Sequence, residues 1–158
     1  MTAKYSLYLG EAGQAAASSY FLARGWNVAT PRVDIGDDLL VIEDTQGFFL
    51  RIQVKTAQAT VRQSSFSARF NLSLRQLQNP YNPDLYYMFM VYHQQEWHHK
   101  IIVPRSALLS YHLNNGLGSI IGENLVVYFS FNKGKVICSN TDCSQFYNNF
   151  DDFPIIFH

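Results

Sequence analysis

Four residues in this chain have the types and spacing to do chemistry at a phosphodiester: Asp38, and Arg51, Gln53 and Lys55 of the pentad Arg51-Ile52-Gln53-Val54-Lys55. From Phe48 to Ala57 polar and apolar residues alternate, which predicts a β-strand whose side chains point to opposite faces with a period of two. Phe48, Leu50, Ile52, Val54 and Thr56 share one face; Arg51, Gln53 and Lys55 share the other. A polar trio on a strand is costly unless it is solvated or serves chemistry. Asp38 opens the preceding hydrophobic run, Leu39 to Ile42, and the turn Asp44-Thr45-Gln46-Gly47 joins the two runs as a hairpin. Pairing the runs brings Asp38 near Gln53 and Lys55. A carboxylate and an amide oxygen are hard donors suited to magnesium, and a lysine beside them can stabilise charge developing on phosphate.

The elements that must position these residues follow from pattern. Residues 7–24 read as a helix, with Leu9, Ala12, Ala16, Tyr20 and Ala23 at spacings of three and four and Gly25 as the stop. Residues 26–30 form a short strand ended by Pro31, and 39–43 with 48–57 form the hairpin. Residues 65–72 alternate as a strand, 73–78 form a short helix, and 85–92 is an apolar run fitting a strand buried on both faces. Residues 97–103 form a strand, 105–113 a helix entered through Pro104, and 125–131 a further strand. The tail from Asn132 onward carries no clear pattern. The expected fold class is α/β, with a central mixed β-sheet flanked by helices.

At 158 residues the chain predicts a single domain over 1–158, with a core of about 7–131 and a C-terminal extension of 132–158. Net charge is zero, so total charge carries no nucleic-acid signal. Its distribution does. No Asp or Glu occurs from Thr45 to Pro83, a stretch holding Arg51, Lys55, Arg62, Arg69 and Arg75. Just upstream lie Asp34, Asp37, Asp38, Glu43 and Asp44. An acidic knot beside a basic stretch suits a metal next to a phosphate backbone; an ordinary solvated surface is the alternative. Two cysteines, Cys138 and Cys143, argue against a disulfide framework and read as buried or free thiols. No apolar stretch suits a membrane span or signal peptide, so a cytoplasmic protein with no membrane partner is expected. His93, His98 and His99 match no closed zinc pattern and read as surface residues around a hairpin turn. The aromatic tail (Phe146, Tyr147, Phe150, Phe153, Phe157) suits core or subunit contacts, with base stacking as the alternative.

The chain resembles the PD-(D/E)XK nuclease superfamily, which includes restriction endonucleases, Holliday-junction resolvases and some intron-encoded homing endonucleases. Four pieces carry the resemblance: Leu9-Gly10-Glu11-Ala12-Gly13 with Leu22 to Trp26, Pro31, Asp38-Leu39-Leu40-Val41, and Gln53-Val54-Lys55-Thr56. The resemblance implies a restriction endonuclease-like core. It also implies a Mg2+-dependent (or Mn2+-dependent) DNA endonuclease, site-specific in the homing or restriction manner. Asp38 is then the metal-binding aspartate, Gln53 fills the slot of the second acid, Lys55 is the motif lysine and Glu11 the acid of the first helix. Catalytic Glu11, Asp38, Gln53 and Lys55, metal-binding Glu11, Asp38 and Gln53, and phosphate contacts at Arg51, Arg62, Arg69 and Arg75 are the expected site. For Arg51 a structural ion pair is the alternative, and Asp34 and Asp37 rival Asp38. Gln53 departs from the usual acid and leaves a non-cleaving DNA-binding or assembly module on the same fold as the alternative function. Double-stranded DNA is the expected partner. Cutting both strands needs two sites, hence a homodimer or homotetramer.

Overall fold

The computed structural model describes residues 2–157. Helix α1 (Ala3–Ala23) begins on Thr2, whose hydroxyl accepts from the Tyr5 N–H. Strands β1 (Asn27–Ala29), β2 (Leu39–Glu43) and β3 (Phe48–Gln58) follow. Next come β4 (Thr60–Arg62), β5 (Ser65–Ser73), α2 (Leu74–Gln78), β6 (Leu85–His93) and β7 (Glu96–Pro104). The chain closes with α3 (Arg105–Asn115), β8 (Ser119–Ile121), β9 (Asn124–Asn132), β10 (Lys135–Cys138), β11 (Thr141–Asp142) and a 3-10 turn at Ser144–Phe146.

The strands form two sheets. The first has the order β1-β2-β3-β6-β7, and it is mixed because β3 and β6 run parallel while its other pairs are antiparallel. The second has the order β11-β10-β9-β5-β4, with β8 beside β9, and is antiparallel throughout. The expected central mixed sheet is therefore present, and a second sheet is added to it.

The parallel register pairs Gln53 with Tyr87 and Lys55 with Phe89. Strand alternation then sorts the side chains by face. Ile52, Val54, Met88 and Met90 meet Ala17 and Phe21 of α1 in one core cluster. Gly13 lets α1 approach β3, because a Cβ there would come within 2.1 Å of Thr56 Cγ2. Tyr87, Phe89, Val91 and Ala57 turn the other way and meet Phe70, Val127 and Phe129 of the second sheet. Strand β6 is buried on both faces along most of its length, as the unbroken apolar run predicts.

The tail is built into both clusters. Val136, Cys138 and Cys143 join the inter-sheet core. Phe153 is fully buried against Phe21, Trp26 and Tyr86. Its backbone carbonyl accepts from Arg24 Nε at 2.6 Å, and the Pro154 carbonyl accepts from Trp26 Nε1 at 2.8 Å. Phe157 remains exposed. Both cysteines are free and buried, and burial pushes the Cys143 thiol up to about 12.

Candidate active site

The hairpin register places the acid. Leu39 pairs with Ile52, and the Asp38 N–H donates to the Ile52 carbonyl at 2.8 Å, so Asp38 stands beside Gln53. Asp38 Oδ2 accepts from the Val54 backbone N–H at 2.7 Å and from Gln53 Nε2 at 2.5 Å. Both of these bonds fall on one oxygen. Gln53 is only 8% exposed, and its Oε1 accepts from Gln76 Nε2 at 3.0 Å.

Asp38, Gln53 and Lys55 line a cavity of about 490 Å³, together with Asp34, Arg75 and Gln76. It opens where the first sheet parts from α2 and the end of β5. A second hollow shares Ser73, Arg75 and Asn79 with it and runs on to Gly122 and Glu123.

The electrostatics of the two charged groups run in opposite senses. Burial raises the Asp38 carboxyl above its ordinary value, helped by Asp34 and Asp37, while the Val54 N–H and Lys55 oppose the rise. Burial lowers the Lys55 ammonium, with Asp38 and Asp34 opposing the fall. Each group is displaced toward its neutral form, the pattern of sites that hold or exchange protons.

The other expected residues scatter. Glu11 is exposed on α1, which packs on the opposite face of the sheet from Gln53, and it does not line the cavity. Arg51 is committed to Asp37, Nη1 to Oδ2 at 3.0 Å, which realises the ion-pair alternative. Asp37 is buried in that ion pair and does not line the cavity, whereas Asp34 stays in the cavity wall. Arg75 is exposed at the cavity; Arg62 and Arg69 are exposed on the second sheet, where Arg69 lies 5.8 Å from the Tyr128 ring. The histidines flank the β6–β7 turn. His98 is exposed, and His99 stacks on Phe131 at 4.4 Å and bonds the Tyr147 hydroxyl. Among the described residues no three His, Cys, Asp or Glu side chains converge as a metal-holding group.

Gln76 is the site residue that sequence reasoning missed. The Ser73-x-x-Gln76 spacing is that of a capping box, and Ser73 Oγ does accept the Gln76 N–H. The Gln76 side chain instead turns inward to Gln53, the Gly36 carbonyl and the Tyr87 hydroxyl.

A model of the PD-(D/E)XK endonuclease family matches residues 5–113, the segment that carries β2, β3 and every residue of the cavity wall. The chain belongs to that family. Its mixed first sheet, with α1 against one face, is the restriction endonuclease-like core. A solved structure of a bacterial homing endonuclease, I-Ssp6803I, is similar to this PD-(D/E)XK chain at 26% identity and a TM-score of 0.46, covering 66% of this chain and 72% of the other. Among curated proteins none matches the sequence. No helix among the described residues of this family member is long and apolar enough to cross a membrane.

The donor set fits a hard divalent cation. Asp38 supplies a carboxylate with one oxygen outside its two hydrogen bonds, Asp34 lines the same cavity, and the Gln53 amide carries a carbonyl oxygen. In the described arrangement that amide turns its NH2, not its oxygen, toward Asp38.

Proposed function

We propose that this nuclease hydrolyses phosphodiester bonds in double-stranded DNA with a bound Mg2+ or Mn2+, in the cavity where Asp38, Gln53 and Lys55 meet. One observation carries the reading. An acid at the head of β2 and an amide and a lysine of β3 open onto one cavity, on a strand face whose continuation, from Ala57, packs into the inter-sheet core. Asp38 and the Gln53 carbonyl would hold the cation, with Asp34 as a further oxygen. When bound, the cation would supply Lewis acidity and lower the pKa of its water. Lys55, held near two carboxylates in a partly dry site, orients the attacking water and offsets charge building on the phosphate.

Arg75 at the cavity mouth is the phosphate contact best placed to seat the scissile strand. Arg62 and Arg69 would follow the duplex further out, and Arg51 serves the fold. Glu11 is left out of the cation set because of its position. A site-specific enzyme of the homing or restriction type is the finer reading. The glutamine in the acid slot, a variant shared with some homing-type members, supports it. Cutting both strands calls for two such sites, so a homodimer or homotetramer is part of the proposal.

A second reading, a non-cleaving DNA-binding or assembly module, is favoured by the Gln53 NH2 facing Asp38, because a neutral donor stands where a charged ligand would serve a metal better. Incubating supercoiled plasmid and long genomic DNA with the protein in Mg2+, Mn2+ or chelator separates the two. Cleavage that needs the metal and disappears in Asp38→Ala and Lys55→Ala is the expected result. A shift of DNA in a gel without cleavage would establish the module instead.

A further inference from the structure

Gln76 sits where three parts of the fold meet, and its hydrogen bonds have a direction. The Gly36 carbonyl can only accept, so Gln76 must present its NH2 there. The same NH2 donates to Gln53 Oε1 at 3.0 Å. At the other end Asp38 Oδ2 already accepts from the Val54 backbone N–H, and Gln53 presents its own NH2 to that same acceptor oxygen. The Tyr87 hydroxyl, 3.2 Å from Gln76 Oε1, can donate or accept and fixes nothing by itself. Two acceptor oxygens therefore set both amides, Gln76 toward Gly36 and Gln53 toward Asp38.

Inverting the chain is hindered at one point. If Gln53 turned its carbonyl toward Asp38, its NH2 would face the Gln76 NH2, two donors with no acceptor between them. Gln76 would have to turn as well, and its oxygen would then oppose the Gly36 carbonyl. The contact is close by construction. Gly36 has φ +104°, and a Cβ there would lie 2.4 Å from Gln76 Nε2, so the bare glycine is what admits the amide.

We propose that Gln76 is a positioning residue that holds the Gln53 carbonyl away from the cation site, so that binding a divalent cation requires the Gln76–Gly36 bond to be given up. This rests on the cation site proposed above at Asp38 and Gln53. Gln76 lines the same cavity, and its effect on the cation runs through its hydrogen bond to Gln53. With a cation held at Asp38, the Gln53 oxygen would turn toward that side, Gln76 would turn with it, and the 34–36 loop beside the cavity would lose the Gln76–Gly36 bond to α2.

The test is Mn2+ binding to the full chain without DNA, measured as loss of the free-ion EPR signal, with thermal unfolding to confirm that each variant folds. Gln76→Met keeps the length of the side chain and removes both its donor and its acceptor; Gln76→Ala is the second variant should the first fail to fold. Either should bind Mn2+ about three- to tenfold more tightly than the wild type, the scale of one net hydrogen bond. The gain should vanish when the same change is made in Gln53→Leu, which a merely structural role for Gln76 would not require. Unchanged or weaker Mn2+ binding in a folded Gln76 variant, or an equal gain in the Gln53→Leu background, overturns the proposal while leaving the cation site standing. A wild-type protein that binds no Mn2+ removes the site itself, and this inference with it.

Discussion

Replacing Gln53 by the acid usual in this family is the sharpest perturbation of the site. In Gln53→Glu the introduced carboxylate keeps the hydrogen bond from Gln76 but loses the donor to Asp38, whose Oδ2 lies 2.5 Å from the present nitrogen. Two carboxylate charges about 4 Å apart repel by about 4 kcal/mol at an effective dielectric constant of about 20. The cavity is open to solvent, so half of that, about 2 kcal/mol, is a fair expectation once screening is allowed for. For a domain of this size each kcal/mol moves Tm by about 2–4 °C, so the metal-free variant should melt about 4–8 °C below the wild type at pH 8.5. Lowering the pH lets the two carboxyls share a proton and relieves the repulsion. The sign follows. A carboxyl pair whose proton is held more tightly in the folded state favours folding at low pH, and that gain is lost as pH rises through the folded-state value. The deficit should therefore shrink toward pH 5.5. Saturating Mn2+ should also erase it, since a cation between two acids stabilises the folded state by mass action. Differential scanning fluorimetry across pH 5.5–8.5, with Mn2+ or chelator, reads all three effects. A variant whose Tm deficit neither depends on pH nor closes with Mn2+ would refute the placement of residue 53 opposite Asp38 as a cation ligand.

Two further outcomes follow from the same structure. Because burial raises Asp38, its contribution to folding is present below its ordinary value of 3.8 and is lost as pH rises through the higher folded value. Asp38→Asn, whose single carbonyl oxygen can accept both bonds now made to Oδ2, should thus raise the metal-free Tm at pH 7.5 while abolishing Mn2+ binding; a lowered Tm would contradict the burial argument. Gly13→Ala should cost up to about 2 kcal/mol by chemical denaturation, overpacking of about 1–3 kcal/mol less the roughly 1 kcal/mol that alanine gains in a helix. Thr56→Ser, which removes the methyl lying 2.1 Å from the new Cβ, should restore it, and failure of that rescue would mean that α1 moves by another route.

The hairpin and the strand faces were legible because they are local. A four-residue turn closing an apolar run and an alternating one brings the two into antiparallel register, and that register put Asp38 against Gln53. The buried run of β6 and the helix after Pro104 were legible for the same reason. The second sheet was not. Its spine pairs Phe66 with Phe131 and Leu72 with Leu125, contacts between segments some sixty residues apart that leave no local pattern. Two of its strands, β4 at one end and β8 beside β9, are three residues long with every position exposed, and such segments read as loop. Arg51 was ambiguous from sequence because charge alone cannot separate a phosphate contact from an ion pair; a nearly buried Asp37 decided it. Gln76 could not be found because its backbone does what its spacing suggests, while its side chain answers to Gly36 and Gln53, neighbours only in the folded chain.

The three polar residues of β3 show why the site lies where the two layers part. Ala57 closes the inter-sheet core at one end of the strand face, and Lys55, Gln53 and Arg51 run outward from it. Each needs a different answer to burial, and each receives it from the 34–38 segment or from α2. Arg51 has the carboxylate of Asp37. Gln53 has an amide on one side and Asp38 on the other. Lys55 has only the electrostatic support of Asp38 and Asp34, which burial outweighs. Arg51 keeps a buried Nε without a partner, but it stands outside the cavity wall. Lys55 lines the cavity, where a phosphate would add to the negative charge that Asp38 and Asp34 supply. A fold optimised for stability alone would have placed apolar side chains at positions 53 and 55, opposite Tyr87 and Phe89. Their polarity weakens the packing of the first sheet against the second and leaves the opening through which a substrate strand could reach Asp38.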